Sequence, residues 1–143
     1  MSRVTERHKP DDEDVSQLKF PKAFSDEDTQ LHMLSISEVK VFLEAAEMTA
    51  QAEGRPMPDN PVYNKTKDYV STFARFVTKD IAQQARDEVP YPEFQYYEQV
   101  QLVNLCPMEA EEAKALIPSI KMDDETLQGH LDSLTLTRKN QQV

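Results

Sequence analysis

The chain has 143 residues, with 16 Lys plus Arg against 26 Asp plus Glu and a formal net charge of -10 at pH 7. That length suits one domain with a core that needs no metal or disulfide staple, while a mean hydropathy of -0.68 and a hydrophobic fraction of 38% predict disordered or partner-dependent stretches beside it. The acidic balance argues against a phosphate backbone as main partner, the single cysteine excludes a disulfide framework, and no apolar run approaches the roughly 20 residues of a membrane span.

The opening MSRVTERHKP lacks the apolar core of a secretory signal, so retention in the cytosol or nucleus is expected. Residues 1–14 read as a disordered acidic tail, with Glu6, Asp11, Asp12, Glu13 and Asp14 and little to bury. In DVSQLKFPKAF, Leu18 and Phe20 alternate with Gln17 and Lys19, and Pro21 breaks any helix. The segment reads as extended, yet no second strand is evident to pair with it. It is either a coil lying across its own helices or a strand awaiting a sheet supplied by another chain.

The first helix is predicted over 37–51, with Ser35 and Glu38 at capping-box spacing, Val39, Phe42, Leu43 and Ala46 on one face, and Gly54 as terminator. EGRPMPDNP is an irregular connector. A second helix begins with Asn60 as cap and Pro61 in first position, and its stripe of Tyr69, Val70, Phe73, Phe76 and Val77 is expected to be core. Shorter helices follow over 80–88, from Pro92 to Leu105 with Phe94, Tyr97 and Val100 inward, and from Pro107 to Pro118. A last helix, capped by Asp123 or Asp124, carries Leu127, Leu131 and Leu134. Five or six short helices and at most one extended segment make an all-α chain.

Chemistry-bearing patterns are sparse. His8, His32 and His130 are scattered, and no His, Cys or carboxylate cluster has metal-ligand spacing, so neither metal nor cofactor is expected. Cys106 lies at a helix junction, where a thiol acts as a small hydrophobe. Gly54 and Gly129 are the only glycines, too few for a phosphate-cradling loop. Glu111 with Glu112, and 123–125, occupy helix starts, where capping accounts for acidic side chains. The chain therefore reads as non-enzymatic. Lys65, Lys67, Arg75 and Lys79, with Tyr63 and Tyr69, form a local basic and aromatic patch that could make a weak auxiliary RNA contact. The same residues, with Asp68 and Asp80 among them, also describe a solvated face.

LVNLCPMEAEEAKALIPSI, residues 102–120, is similar to the signature of the family of the fourth-largest subunit of eukaryotic RNA polymerase II, which has a relative in the archaeal polymerase. VSQLKFPKAF at 15–24 resembles that family's N-terminal segment, LSISEVKVFL at 34–43 the start of its first helix, and FARF at 73–76 the end of its second. Together these cover most of residues 15–134.

The resemblance implies a non-catalytic nuclear subunit, shuttling to the cytoplasm, that pairs with the seventh subunit as a stalk beside the RNA exit channel. Such a stalk holds the clamp closed, supports initiation, lies near nascent RNA and is linked to messenger RNA export and decay. It also implies a division into the tail at 1–14, a partner-binding segment with the first helix at 15–55, and a C-terminal bundle at 56–143 resembling the HRDC domain of helicases and ribonuclease D. Gln17, Leu18, Phe20 and Phe24, with Leu34, Val39, Phe42 and Leu43, are the expected partner interface, Gln17 to Phe20 adding as a strand to the partner's sheet; for the helix residues the alternative is that the first helix simply packs on the second. Gly54 to Pro61 is short where some relatives carry long charged insertions, so functions of such insertions do not transfer. Competing readings are the equivalent stalk subunit of RNA polymerase III, a free-standing helical nucleic-acid module, and a small hydrolase using Cys106 or the carboxylate pairs.

Overall fold

The structure, a computed structural model, describes residues 14–21 and 32–141; the expectations for residues 1–13 and for Phe24 lie outside the described residues. Among the described residues a 3₁₀ turn, Val15–Gln17, is followed by six α-helices and there is no strand, an all-α fold. The helix boundaries follow local capping chemistry. α1, Ile36–Ala52, opens on a reciprocal capping box between Ser35 and Glu38. It closes where Gly54 takes φ 67° and the Arg55 amide donates to the Ala50 carbonyl at 2.8 Å, a Schellman-type stop that favours glycine.

α2, Pro61–Phe73, starts from the Asn60 side chain with Pro61 in first position, and α3, Lys79–Asp87, starts from the Thr78 hydroxyl. α4, Tyr96–Leu105, ends at Cys106, which adopts a left-handed φ of 46°. α5, Ala110–Leu116, is brief. α6, Asp124–Lys139, is capped by Asp123, whose carboxyl is held below its ordinary range by backbone and hydroxyl bonds from Thr126.

Leu127, Leu131 and Leu134 recur at i, i+4 and i+7, so α6 buries one continuous face. Around it close Phe76, Val89, Phe94, Leu102, Val103 and Ile117, all in the interior cluster. Burying each large apolar side chain is worth roughly 1.5–3 kcal/mol, which makes this cluster the main source of stability. His130, on the same helix, stands edge-on to Phe94 and bonds both the Glu88 carbonyl, at 2.8 Å, and the Glu93 carboxylate, at 3.0 Å.

α1 and α2 stand outside that cluster. Of the 17 residues of α1 only Ser37 and Ala50 are buried, and of α2 only Val70. The two helices pack chiefly on each other, and α1 also meets α3. Polar latches hold them to the bundle. Ser37 Oγ accepts from the Arg75 and Phe76 amides, at 3.1 and 3.0 Å, and the Asn104 side chain accepts from the Ile36 amide at 2.9 Å.

Two expectations change. The aromatic stripe of the second helix is not a single core face: Val70 and Phe76 are buried, but Tyr69 and Phe73 are 53% and 52% exposed. The helix stops at Phe73 and Ala74 turns to extended backbone, so Phe76 enters the core from a loop. Tyr69 and Phe73 remain on a helix covered mainly by α1 and pack on each other, centroids 4.7 Å apart. The second change is at residues 14–21, read as extended. Asp14 accepts from the Ser16 amide and hydroxyl and from Gln17, closing a tight turn, and Leu18 takes φ 60°. Asp14 and Lys19 then exchange backbone bonds of 3.1 and 2.9 Å, and the Phe20 ring meets Tyr97 edge-on at 6.0 Å. Of the two readings open for this segment, its course here is that of a coil on its own helices.

Candidate partner interface

Amphipathic α1 presents two apolar sides. Leu43, Glu47 and Ala50 recur at i, i+4 and i+7 toward α2, where Tyr63 donates to Glu47 at 2.9 Å and the Lys67 ammonium lies 2.6 Å from the same oxygen. Lys67 and then Tyr63 hold the Glu47 carboxyl below its ordinary value, and the Glu47 hydrogen bond raises Lys67. Burial, then Glu47, raises the Tyr63 phenol. The opposite side of α1 faces a groove of about 530 Å³ toward α3.

Leu34, Val41, Phe42 and Ala45 make one wall of that groove. Phe42 is 63% exposed, unusual for an aromatic residue in the middle of a long helix. The other wall is Lys79, Gln83 and Arg86, at i, i+4 and i+7 of α3. Arg86 bonds both oxygens of Glu38, at 2.9 and 3.1 Å, and the Met33 carbonyl at 3.0 Å, so it ties α3 to the capping box that starts α1.

The residues expected at a partner interface thus divide. Leu34 and Phe42 are exposed and line the groove, whereas Val39 and Leu43 are half-buried. Leu18 and Phe20 are half-buried and Gln17 is exposed in the N-terminal turn. Phe24 is outside the described residues. Val41, Ala45, Gln83 and Arg86 were not among the expected residues. Val41 and Ala45 carry a sequence signal, a second apolar stripe on α1 continued by Met48; Arg86 carries none, since its partner Glu38 is 48 positions away.

The expected basic patch is dispersed. Lys67 is paired with Glu47, the Arg75 Nε donates to the Asn104 carbonyl at 3.3 Å, Lys65 is solvent-exposed, and Lys79 belongs to the groove. Cys106 is buried, its Sγ 3.2 Å from the Val103 carbonyl, and burial pushes the thiol up, away from the thiolate a nucleophile requires. Among the described residues no group of three or more His, Cys, Asp or Glu could hold a metal ion, and no helix is long and apolar enough to cross a membrane.

Comparison with known proteins supplies the family. The model of the family described as RNA polymerase Rpb4 matches residues 33–138, an interval that spans all six helices apart from the last residue of α6. The chain belongs to the RNA polymerase Rpb4 family. It is 42% identical over 135 residues to DNA-directed RNA polymerase II subunit rpb4 of Schizosaccharomyces pombe, covering 91% of this chain and 95% of the relative. It is 33% identical to the protein of the same name from Dictyostelium discoideum, over 90% of this chain and 91% of that one. With DNA-directed RNA polymerase II subunit 4 of Arabidopsis thaliana the identity is 31%, over 90% and 96%. Rpb4 proteins are accessory polymerase subunits and not catalytic, which sets aside the hydrolase reading.

Proposed function

We propose that this Rpb4-family chain pairs with the seventh subunit of RNA polymerase II to form the stalk of the enzyme. As a polymerase II subunit it works in the nucleus. The observation that carries the pairing is the uncovered apolar groove, where Phe42 at 63% exposure and Leu34 have a reason to be apolar only if another surface covers them. Gln17 to Phe20, with Phe24 beyond, are the second contact, adding as a strand to the partner's sheet. Such addition requires Leu18 to leave its left-handed conformation and the bridge between Asp14 and Lys19 to open, an exchange of exposed hydrogen bonds for interchain ones.

In this reading the chain's contribution is architectural. A stalk that binds the closed clamp better than the open one shifts the clamp toward closure by that difference in affinity, which supports initiation. Links to messenger RNA export and decay, with shuttling to the cytoplasm, follow from a surface that remains available to other factors. RNA contact is weak or indirect, because the expected basic residues are dispersed or already paired.

The test is to prepare the chain alone and with the seventh subunit, and to compare mass by light scattering and amide protection by hydrogen exchange. A one-to-one complex with new protection over 15–24 and 34–46 is the expected result. A chain that stays monomeric beside the partner, with unchanged exchange, rejects the pairing.

A further inference from the structure

We infer that the α1–α3 groove receives an apolar partner segment bearing a carboxylate, and that Lys79 is the residue that selects it; the identity of that partner as the seventh subunit rests on the function proposed above. The groove lies on a chain with a formal net charge of -10, yet its own exposed charge is positive. Glu38 and Arg86 neutralise each other, and Gln83 Nε2 is committed to Asp87 at 3.0 Å. Lys79 has no ion pair among the described residues. It is the first residue of α3, so an anion beside its ammonium also meets the favourable end of the helix dipole.

Charge complementarity then decides the occupant. A purely apolar segment would cover Leu34, Val41 and Phe42 but strip water from Lys79 without replacing it, an uncompensated desolvation. A carboxylate placed at the Lys79 end restores the lost interaction and rejects partners with a basic residue there. Nucleic acid is a poorer occupant. It needs several cations along a track, whereas Lys67 lies in a separate concavity bound to Glu47, and Arg75 is held by Asn104. Leu34 and Phe42 give an RNA backbone nothing to bind.

The experiment titrates the full-length chain with the purified seventh subunit by calorimetry at low and high salt, using wild type, Lys79→Glu, Lys79→Met and Phe42→Ala, each checked for fold by circular dichroism. Lys79→Glu should weaken pairing about tenfold or more at low salt, the gap narrowing at high salt, with Lys79→Met in between because it keeps the apolar stem. If Phe42→Ala weakens pairing while Lys79→Glu matches wild type at both salts, the groove is an uncharged interface; the inference falls and the stalk reading stands. If neither substitution changes the dissociation constant, the groove is not the pairing surface and the inference falls, while the pairing itself stands; wild type that shows no binding at either salt removes the stalk reading as well. Loss of binding to a single-stranded oligonucleotide in Lys79→Glu, with pairing intact, would assign the cation to RNA and overturn the inference.

Discussion

The Ser37 hydroxyl oxygen lies 3.0 Å from the Phe76 amide nitrogen and accepts its proton, 39 positions away in sequence. It accepts the Arg75 amide as well, so one buried side chain holds the start of α1 against the segment where the chain leaves α2 for the core. Ser37→Ala leaves both amides without that acceptor and should destabilise the chain by about 2 kcal/mol. Thermal unfolding should show a midpoint several degrees lower, with helix content unchanged at low temperature.

Phe42 and Leu43 are adjacent but answer to different surfaces. Phe42→Ala, at a 63% exposed position, should change the stability of the isolated chain by less than about 1 kcal/mol. It should weaken pairing by about 2 kcal/mol, some thirtyfold, as a central aromatic contact does. Leu43→Ala, on the side toward α2, should show the reverse balance. Chemical denaturation of the chain and calorimetric titration of the pair separate the two effects.

Phe73 and Phe76 likewise look equivalent in FARF and are not. Phe76→Ala removes a fully buried ring from the interior cluster and should cost about 3–5 kcal/mol. Phe73→Ala takes away a half-exposed ring tilted against Tyr69, and should cost about 1 kcal/mol or less. Equal losses in urea denaturation would place Phe73 in the core.

The clasp of α1 on α2 is acid-sensitive. Because the folded-state value of Glu47 is depressed, its stabilisation is present above its ordinary value of 4.5 and is lost as pH falls through the folded value. Lys67 is raised, so its part is present below its ordinary 10.5 and disappears only as pH rises beyond that. Between these limits the clasp is constant. Glu47→Gln should therefore melt below wild type at neutral pH, with the difference vanishing once the pH falls below the depressed folded-state value of Glu47.

Elements with local causes were legible in advance. Ser35 with Glu38 and Asn60 before Pro61 each act within one helical turn, so those starts could be read from the residues, and the last helix start was narrowed to Asp123 or Asp124; the helix read as opening at Pro92 begins instead at Tyr96, where Gln95 and Glu98 form the capping box. The face of α6 was equally plain, since Leu127, Leu131 and Leu134 have a single periodicity and one side to bury. The turn at 14–21 was not, because alternation of Leu18 and Phe20 suits a strand whether or not a mate exists, while Asp14 closes a turn with its own neighbours.

By itself, then, the amino-acid order determined the all-α class, several caps, most helix boundaries and the family, all of which rest on residues close in sequence. Only the tertiary structure decided which apolar residues are interior and which face solvent. α1 carries two apolar stripes, and nothing within the helix says that α2 covers the one toward Leu43 while the one with Phe42 stays open. That outcome depends on where Arg86 meets Glu38 and Phe76 meets Ser37, across 48 and 39 positions of chain. Those pairings also carry Lys79 from an apparent RNA-facing patch to the wall of the groove, because a side chain's neighbours are set by packing between helices and not by the residues beside it in sequence.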